Sequence, residues 1–305
     1  MKLTPRRKKL LILLSVVVLA VVLTGCTAPV DENGKIILIT QSTTFSEVFK
    51  NESWFTALFV FPLSWCINKL TPMVGVGAAI TLVTLAFNAL LGVLTLKSTV
   101  GAQKIQLIQP EMERIQRKYE GRNDDASKMR MATELQNLYT KNHINPLGSM
   151  LVQFVQLPII MAMYMAVQRS EAVATGTFLG MDLQISSLNG MKGMFHGDMN
   201  GFMFLLLFLF MALCQYLSMK IPMFIQKRKA EKEAAKHHRK PQVAQNTTTN
   251  KVMQIYMMVM ILIFGLTLPA AMSLYWAINS LVNILKMFLV QKYIDNTEKK
   301  EGKLA

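Results

Sequence analysis

The chain has 305 residues, 52% of them hydrophobic, with a formal net charge of +15. Its apolar residues fall in long blocks, a membrane composition that argues against an ordinary soluble domain. A basic excess gathered on one soluble face would point to nucleic acid. Here it sits in a few segments between apolar blocks, so no direct nucleic-acid partner is expected.

At the N-terminus, Lys2, Arg6, Arg7, Lys8 and Lys9 precede an apolar run from Leu10 to Leu23, which reads as an export signal over residues 1–25. The run ends in Leu23-Thr24-Gly25-Cys26, which resembles the lipobox of bacterial lipoproteins. The resemblance implies that the Cys26 thiol is acylated and becomes the mature N-terminus. The plainer reading is an uncleaved membrane helix, but the run is short for a span. Cys66 and Cys214 lie far apart without metal-ligand spacing, so neither a disulfide framework nor a metal site is expected.

Residues 26–73 form an outer segment. Within it, Phe45 to Leu70 carries Trp54, Phe55, Phe59, Phe61 and Trp65 but also Pro62 and scattered polar residues. An amphipathic helix at the outer interface, where Trp is favoured, fits better than a span. A span needs roughly 20 helical residues. Candidates run from Val74 to Leu96, Met150 to Val167 with Pro158 inside, Phe202 to Leu217, Val252 to Leu268 and Ala270 to Val290. The predicted fold is an all-α polytopic membrane protein with five transmembrane helices, a cytoplasmic helical hairpin and an outer interfacial helix.

Charge sets the direction. Segment 97–148 holds nine Lys or Arg, at 97, 104, 114, 117, 118, 122, 128, 130 and 141, and segment 220–251 another nine, at 220, 227, 228, 229, 232, 236, 239, 240 and 251. The positive-inside rule makes both cytoplasmic. Segment 27–73 has only Lys35, Lys50 and Lys69, and segment 169–199 only Arg169 and Lys192, so both face outward. The mature N-terminus is expected outside and the tail, 295–305, in the cytoplasm.

Within 97–148, Ile105, Ile108, Met112, Ile115 and Tyr119 recur at helical spacing, and Met129, Ala132, Leu135, Leu138 and Tyr139 follow after Gly121 and the polar run to Asp125. Two amphipathic helices joined by a tight turn predict an antiparallel hairpin projecting into the cytoplasm.

Asn145-Pro146-Leu147-Gly148, followed by Gln156-Leu157-Pro158-Ile159 and Tyr164, resembles the signature of the YidC/Oxa/Alb insertase family. Pro269-Ala270-Ala271-Met272-Ser273-Leu274-Tyr275-Trp276 with Asn279 resembles a second family motif. Thr95-Leu96-Lys97, Gln109-Pro110-Glu111-Met112, Lys118-Tyr119 and Phe178-Leu179-Gly180-Met181-Asp182-Leu183 resemble others, in the family's order over roughly residues 55–295. The short outer segment and the lipobox resemble the Gram-positive branch. The resemblance implies a bacterial membrane insertase and chaperone that works without nucleotide hydrolysis or cofactor and is not an enzyme. It also implies nascent membrane proteins as substrates, membrane lipids as surroundings, and the Sec translocon and ribosome as candidate partners.

The chain departs from the family at one position. The family carries an Arg seven residues before the position of Thr95, in a water-filled groove, where this chain has Asn88; five residues later it often carries Pro, where this chain has Val93. The polar residues inside the spans include Thr84, Gln153, Ser218, Ser273, Ser280 and Asn283, and most suit helix–helix hydrogen bonding. Asn88, Gln156, Gln215, Trp276 and Asn279 are the groove candidates that the resemblance implies. Lys286 is the one charge well inside a span, placed where it could snorkel toward the cytoplasm. The 23 Met residues suit a surface that accepts varied apolar segments. A small transporter or channel would need intramembrane charges or inverted repeats, and a lipid-anchored scaffold for other membrane proteins would not insert a substrate in proteoliposomes lacking every other protein.

Overall fold

The computed structural model describes residues 28–122, 124–197, 199–236 and 248–304. The signal over 1–25 and Cys26 lie outside the described residues. The rest is almost wholly helical, in two compact units.

The first unit comprises the described residues up to Val83, with Gln156–Phe204 and Leu268–Met272. Thr44 opens helix α1 (Phe45–Asn51) with a capping box: its side chain accepts from Glu47 N while Glu47 reaches back to Thr44 N. A π-helical turn, Thr56–Val60, runs without a break into α2 (Phe61–Val74), and Pro62, which has no N–H to give, lies just past that turn. The stretch expected as one interfacial helix is therefore two helices broken at Glu52. Gly75, at φ +82°, ends α2 and turns the chain into α3 (Val76–Leu94).

This unit is closed by long-range polar contacts. Asn68 on α2 donates to Ile39 O at 2.5 Å and accepts from Ser170 Oγ at 2.7 Å and Ala172 N at 3.0 Å. It thereby ties the strand-like segment around Ile39 to the end of α7 (Pro146–Arg169) and the start of α8 (Glu171–Thr175). Arg169, 1% exposed, holds Glu52 through two bonds of 2.6 and 2.7 Å and donates to Ile37 O at 2.8 Å. A hairpin of two-residue strands, β1 (Thr177–Phe178) and β2 (Met181–Asp182), follows, and after it the short helix α9 (Ser187–Lys192). Beyond it, Leu183 O and Ile185 O accept from Ala271 N and Ala270 N, two first-turn donors of α12 (Ala270–Leu304) that have no partner within their own helix.

The second unit comprises Thr84–Val155, Leu205–Thr267 and the described residues from Ser273 onward. The predicted hairpin is present here. Its first arm is broken at Ile108 into α4 (Leu96–Leu107) and α5 (Gln109–Lys118), with Pro110 in the first turn of α5. Gly121 turns the chain at φ +79°, and Asp124 caps α6 (Asp125–Lys141) by accepting from Ser127 N at 2.8 Å. Ile108, Leu138 and Ile144 form its core, flanked by Ile105, Met112, Ile115 and Tyr139. Bonds from Lys118 and Tyr119 to Glu134, at 2.6 and 2.7 Å, fix the antiparallel pairing. The inward stripe of α6 runs through Ser127, Met131, Leu135 and Leu138, so Met129 and Ala132 point out; the sequence pattern was out of phase at this end.

Among the described residues, four helices are long and apolar enough to cross a membrane: Thr56–Val74, Val76–Leu94, Met199–Ile225 and Ala270–Thr297. The first meets that length and composition although the sequence favoured an interfacial helix. Helix α7 contains the second predicted span, and α11 (Thr248–Thr267) all of the fourth but Leu268. The third predicted span lies within α10 (Met199–Lys236), so the expected loop 220–251 is helical as far as Lys236. The expected tail 295–305 is likewise helical as far as Leu304.

Candidate functional site

Helix α3 buries a stripe through Ala79, Ile80, Val83, Thr84 and Asn88 and turns Leu82, Leu85 and Leu90 outward. Thr84 and Asn88 are one helical turn apart and share the buried face. Asn88 is 5% exposed. Its amide Nδ2 donates to Thr84 O at 3.0 Å, and its Oδ1 accepts from Lys286 Nζ at 2.9 Å. Lys286 thus spends its ammonium on α3, a contact made across 198 positions of sequence, where the sequence suggested only snorkelling. A Cβ added at Gly92 would lie 3.7 Å from Lys286 Cε, an ordinary van der Waals contact, which shows that the lysine stem runs past Gly92 on α3.

On α12, Trp276, Asn279, Asn283 and Lys286 follow at steps of three and four residues and form one stripe. Trp276 is buried, Asn279 half-buried and Asn283 exposed. Ser280, on the flank of that stripe, donates to Gln215 Oε1 of α10 at 2.7 Å. Of the groove candidates, Asn88 is thus joined to Lys286, and Gln215 to Ser280. Trp276 and Asn279 stand on the same helix as both partners. Gln156 is half-buried and belongs to the first unit. Cys26 lies outside the described residues.

Ser273 Oγ donates to Gly265 O at 2.9 Å, which makes it helix glue of the kind the sequence suggested. Gly265 makes room for the tip of Met211, since a Cβ there would meet Met211 Cε at 2.2 Å.

The sequence did not single out Thr84 and Lys286 as partners of Asn88, nor the Arg169–Glu52 pair. A signal existed for Lys286, since an ionisable group inside an apolar helix marks a functional site by default. For Arg169 the only signal was a lone cation at a helix end.

The arrangement offers a neutral amide, an ammonium and a buried hydroxyl at the depth of apolar helices. Such groups can hydrogen-bond a passing polar chain, whose unpaired polar groups would otherwise cost several kcal/mol each in hydrocarbon.

Residues 67–299 match the family described as 60Kd inner membrane protein. A relative described as membrane protein insertase YidC 2 from Bacillus anthracis is 31% identical over 288 residues, 93% of this chain and 94% of the relative. Another of that description, from Listeria innocua, is 29% identical over 98% of this chain and 88% of its own. Membrane protein insertase MisCA of Bacillus subtilis is 27% identical over 76% of this chain and 77% of its own. A solved structure described as an active YidC insertase has a TM-score of 0.48 and 21% identity, over 79% of this chain and 48% of that chain. The family match over 67–299, with the order of motifs around Asn145, Pro158 and Pro269, places the chain in the 60Kd inner membrane protein family.

Proposed function

We propose that this chain is a membrane protein insertase, which helps segments of newly made membrane proteins enter the bilayer through a polar groove open to cytoplasm and lipid. The observation that carries the reading is the 31% identity to an insertase over 93% of this chain. Polar groups at span depth, Asn88, Lys286, Gln215 and Ser280, support it. Moving a chain between media makes and breaks no covalent bond, so no catalytic group or nucleotide is assigned. Groove contacts are proposed for Asn88, Gln156, Gln215, Trp276 and Asn279.

In this reading the protein sits in the bacterial cell membrane with five spans, the basic segments 97–148 and 220–251 inside and a lipidated Cys26 outside. The exposed aromatics Phe45, Phe49, Trp54 and Trp65 support an interfacial role for α1 and α2. The Sec translocon and ribosome are proposed partners. Purified protein in proteoliposomes, without other proteins or nucleotide, tests the function: a newly synthesised small membrane protein should gain a protease-protected fragment. Equal protection in empty liposomes refutes the reading.

A further inference from the structure

We infer that the loop between α8 and α10 is a membrane anchor, with Leu179 at the tip of the β1–β2 hairpin seated among lipid acyl chains at the surface where α3, α10 and α12 begin. The inference goes beyond the insertase reading and needs only that these helices cross a membrane.

The hairpin register pairs Phe178 with Met181 and leaves Leu179 and Gly180 as a two-residue turn. Both have positive φ, +52° and +78°. That is the pattern of a type I′ turn, which suits Asn-Gly or Gly-Gly because a larger side chain at its first position crowds its own backbone. A leucine there is held against its conformational preference. Packing within the chain offers little in return, since Leu179 is 66% exposed. A strained, exposed, apolar tip points to something outside the chain that takes it up.

The loop rests on the first turns of three helices. The ring of Phe178 covers Gly77 of α3 and leaves no room there for a Cβ. Phe204 of α10 covers Gly190 of α9 in the same way, and Gly201 brings α10 against the backbone of Met194. From α12, Ala270 N and Ala271 N donate to Ile185 O and Leu183 O at 2.8 and 3.1 Å. Each of the three helices is long and apolar enough to cross a membrane. Their common starting level is therefore a membrane surface, and the loop lies on it.

Continuity with the lipid-facing side of α10 selects acyl chains as the occupant. Met199, 69% exposed, Phe202 and Leu206 follow at steps of three and four residues and form one outward stripe. Gly180 stands against Asn200 Oδ1, and the chain neighbours of that pair are Leu179 and Met199, so the tip prolongs the stripe past the end of the helix. Ile185 and Leu188 are exposed as well. Polar groups of the loop turn inward: Gln184 Nε2 donates to Val167 O and Gln168 O, and Ser186 Oγ accepts from Asn189 N. An apolar edge of this kind suits the boundary between headgroups and acyl chains.

The test uses the full chain in vesicles of phosphatidylcholine and phosphatidylglycerol. They carry a trace of photoactivatable lipid, with the diazirine either near the start of an acyl chain or in the headgroup. After irradiation, the tryptic peptide 170–192 is sequenced by mass spectrometry. At Leu179 the acyl probe should give about fivefold more adduct than the headgroup probe. Leu179→Asn turns the tip into Asn-Gly: thermal unfolding should be unchanged or later, while acyl adducts in the peptide should fall about threefold. Labelling by the headgroup probe alone overturns the inference, because the tip then lies above the acyl chains, and so does an absence of adducts with both probes. Labelling that falls as the protein-to-lipid ratio rises assigns the tip to a second copy of the chain and overturns it too. A Leu179→Asn chain that unfolds earlier, or does not fold, makes Leu179 a packing residue and has the same consequence. None of these readouts involves insertion of a substrate, so the insertase reading stands or falls separately.

Discussion

Removing Glu52 should destabilise the first unit more than removing the whole Arg169–Glu52 pair. Arg169 is 1% exposed and its two terminal nitrogens are spent on Glu52, at 2.6 and 2.7 Å. Glu52→Ala leaves a buried guanidinium without a counter-charge, a change that ordinarily costs about 3–5 kcal/mol. The Glu52 side chain is 16% exposed, so water can reach the vacated space, and the lower end, about 3 kcal/mol, is expected. Replacing both residues, Glu52→Leu with Arg169→Met, removes the charge altogether. It leaves mainly the Ile37 carbonyl without its donor, a cost of about 1–2 kcal/mol. Equilibrium unfolding in mixed micelles, followed by the fluorescence of nearby Trp54, gives both values. A Glu52→Ala cost under about 1 kcal/mol, or a double variant as unstable as the single, would show that the pair is not buried as described.

Three further outcomes are expected. Cys26→Ser should block acylation and signal removal, so the variant should run slower on gels; unchanged mature-length protein would refute the lipobox reading. A cysteine at Arg122 should react with a membrane-impermeant thiol reagent only from the cytoplasmic side, and labelling of intact cells would reverse the proposed orientation. In the hairpin, the hydrogen bond from Lys118, with that from Tyr119, holds the Glu134 carboxyl below its ordinary range, while Glu134 raises Lys118. A depressed carboxylate stabilises the fold above its ordinary pKa, near about 4, and that contribution is lost as pH falls through the depressed value. Spin labels at Gln116 and Gln136 should therefore show a broader distance distribution in acid. Glu134→Gln should already be broad at neutral pH, and a distribution indifferent to both would refute the latch.

The sequence by itself determined the features that repeat locally or follow from composition. Long apolar runs dictate helices that pair their own backbone groups, and the run at 76–94 agrees with the predicted span to within two residues at each end. Periodicity drew the hairpin as far as Ile108 and Leu138, because a buried stripe imposes its spacing on the residues that form it. It missed the phase at Met129, where few apolar residues mark the face, and the break at Ile108, which Pro110 makes by opening a new helix. The motifs around Asn145, Pro158 and Pro269 were enough to suggest the family. Only the tertiary structure decided which polar residues meet. Asn88 and Lys286 are 198 positions apart, Arg169 and Glu52 117, and Asn68 and Ser170 102. No local periodicity specifies such pairs, since each follows from the rotation and depth at which whole helices pack. Read along the chain, Asn88 is a lost charge; in the folded protein the charge arrives from another helix, because a buried amide and an ammonium both need a partner where water is scarce.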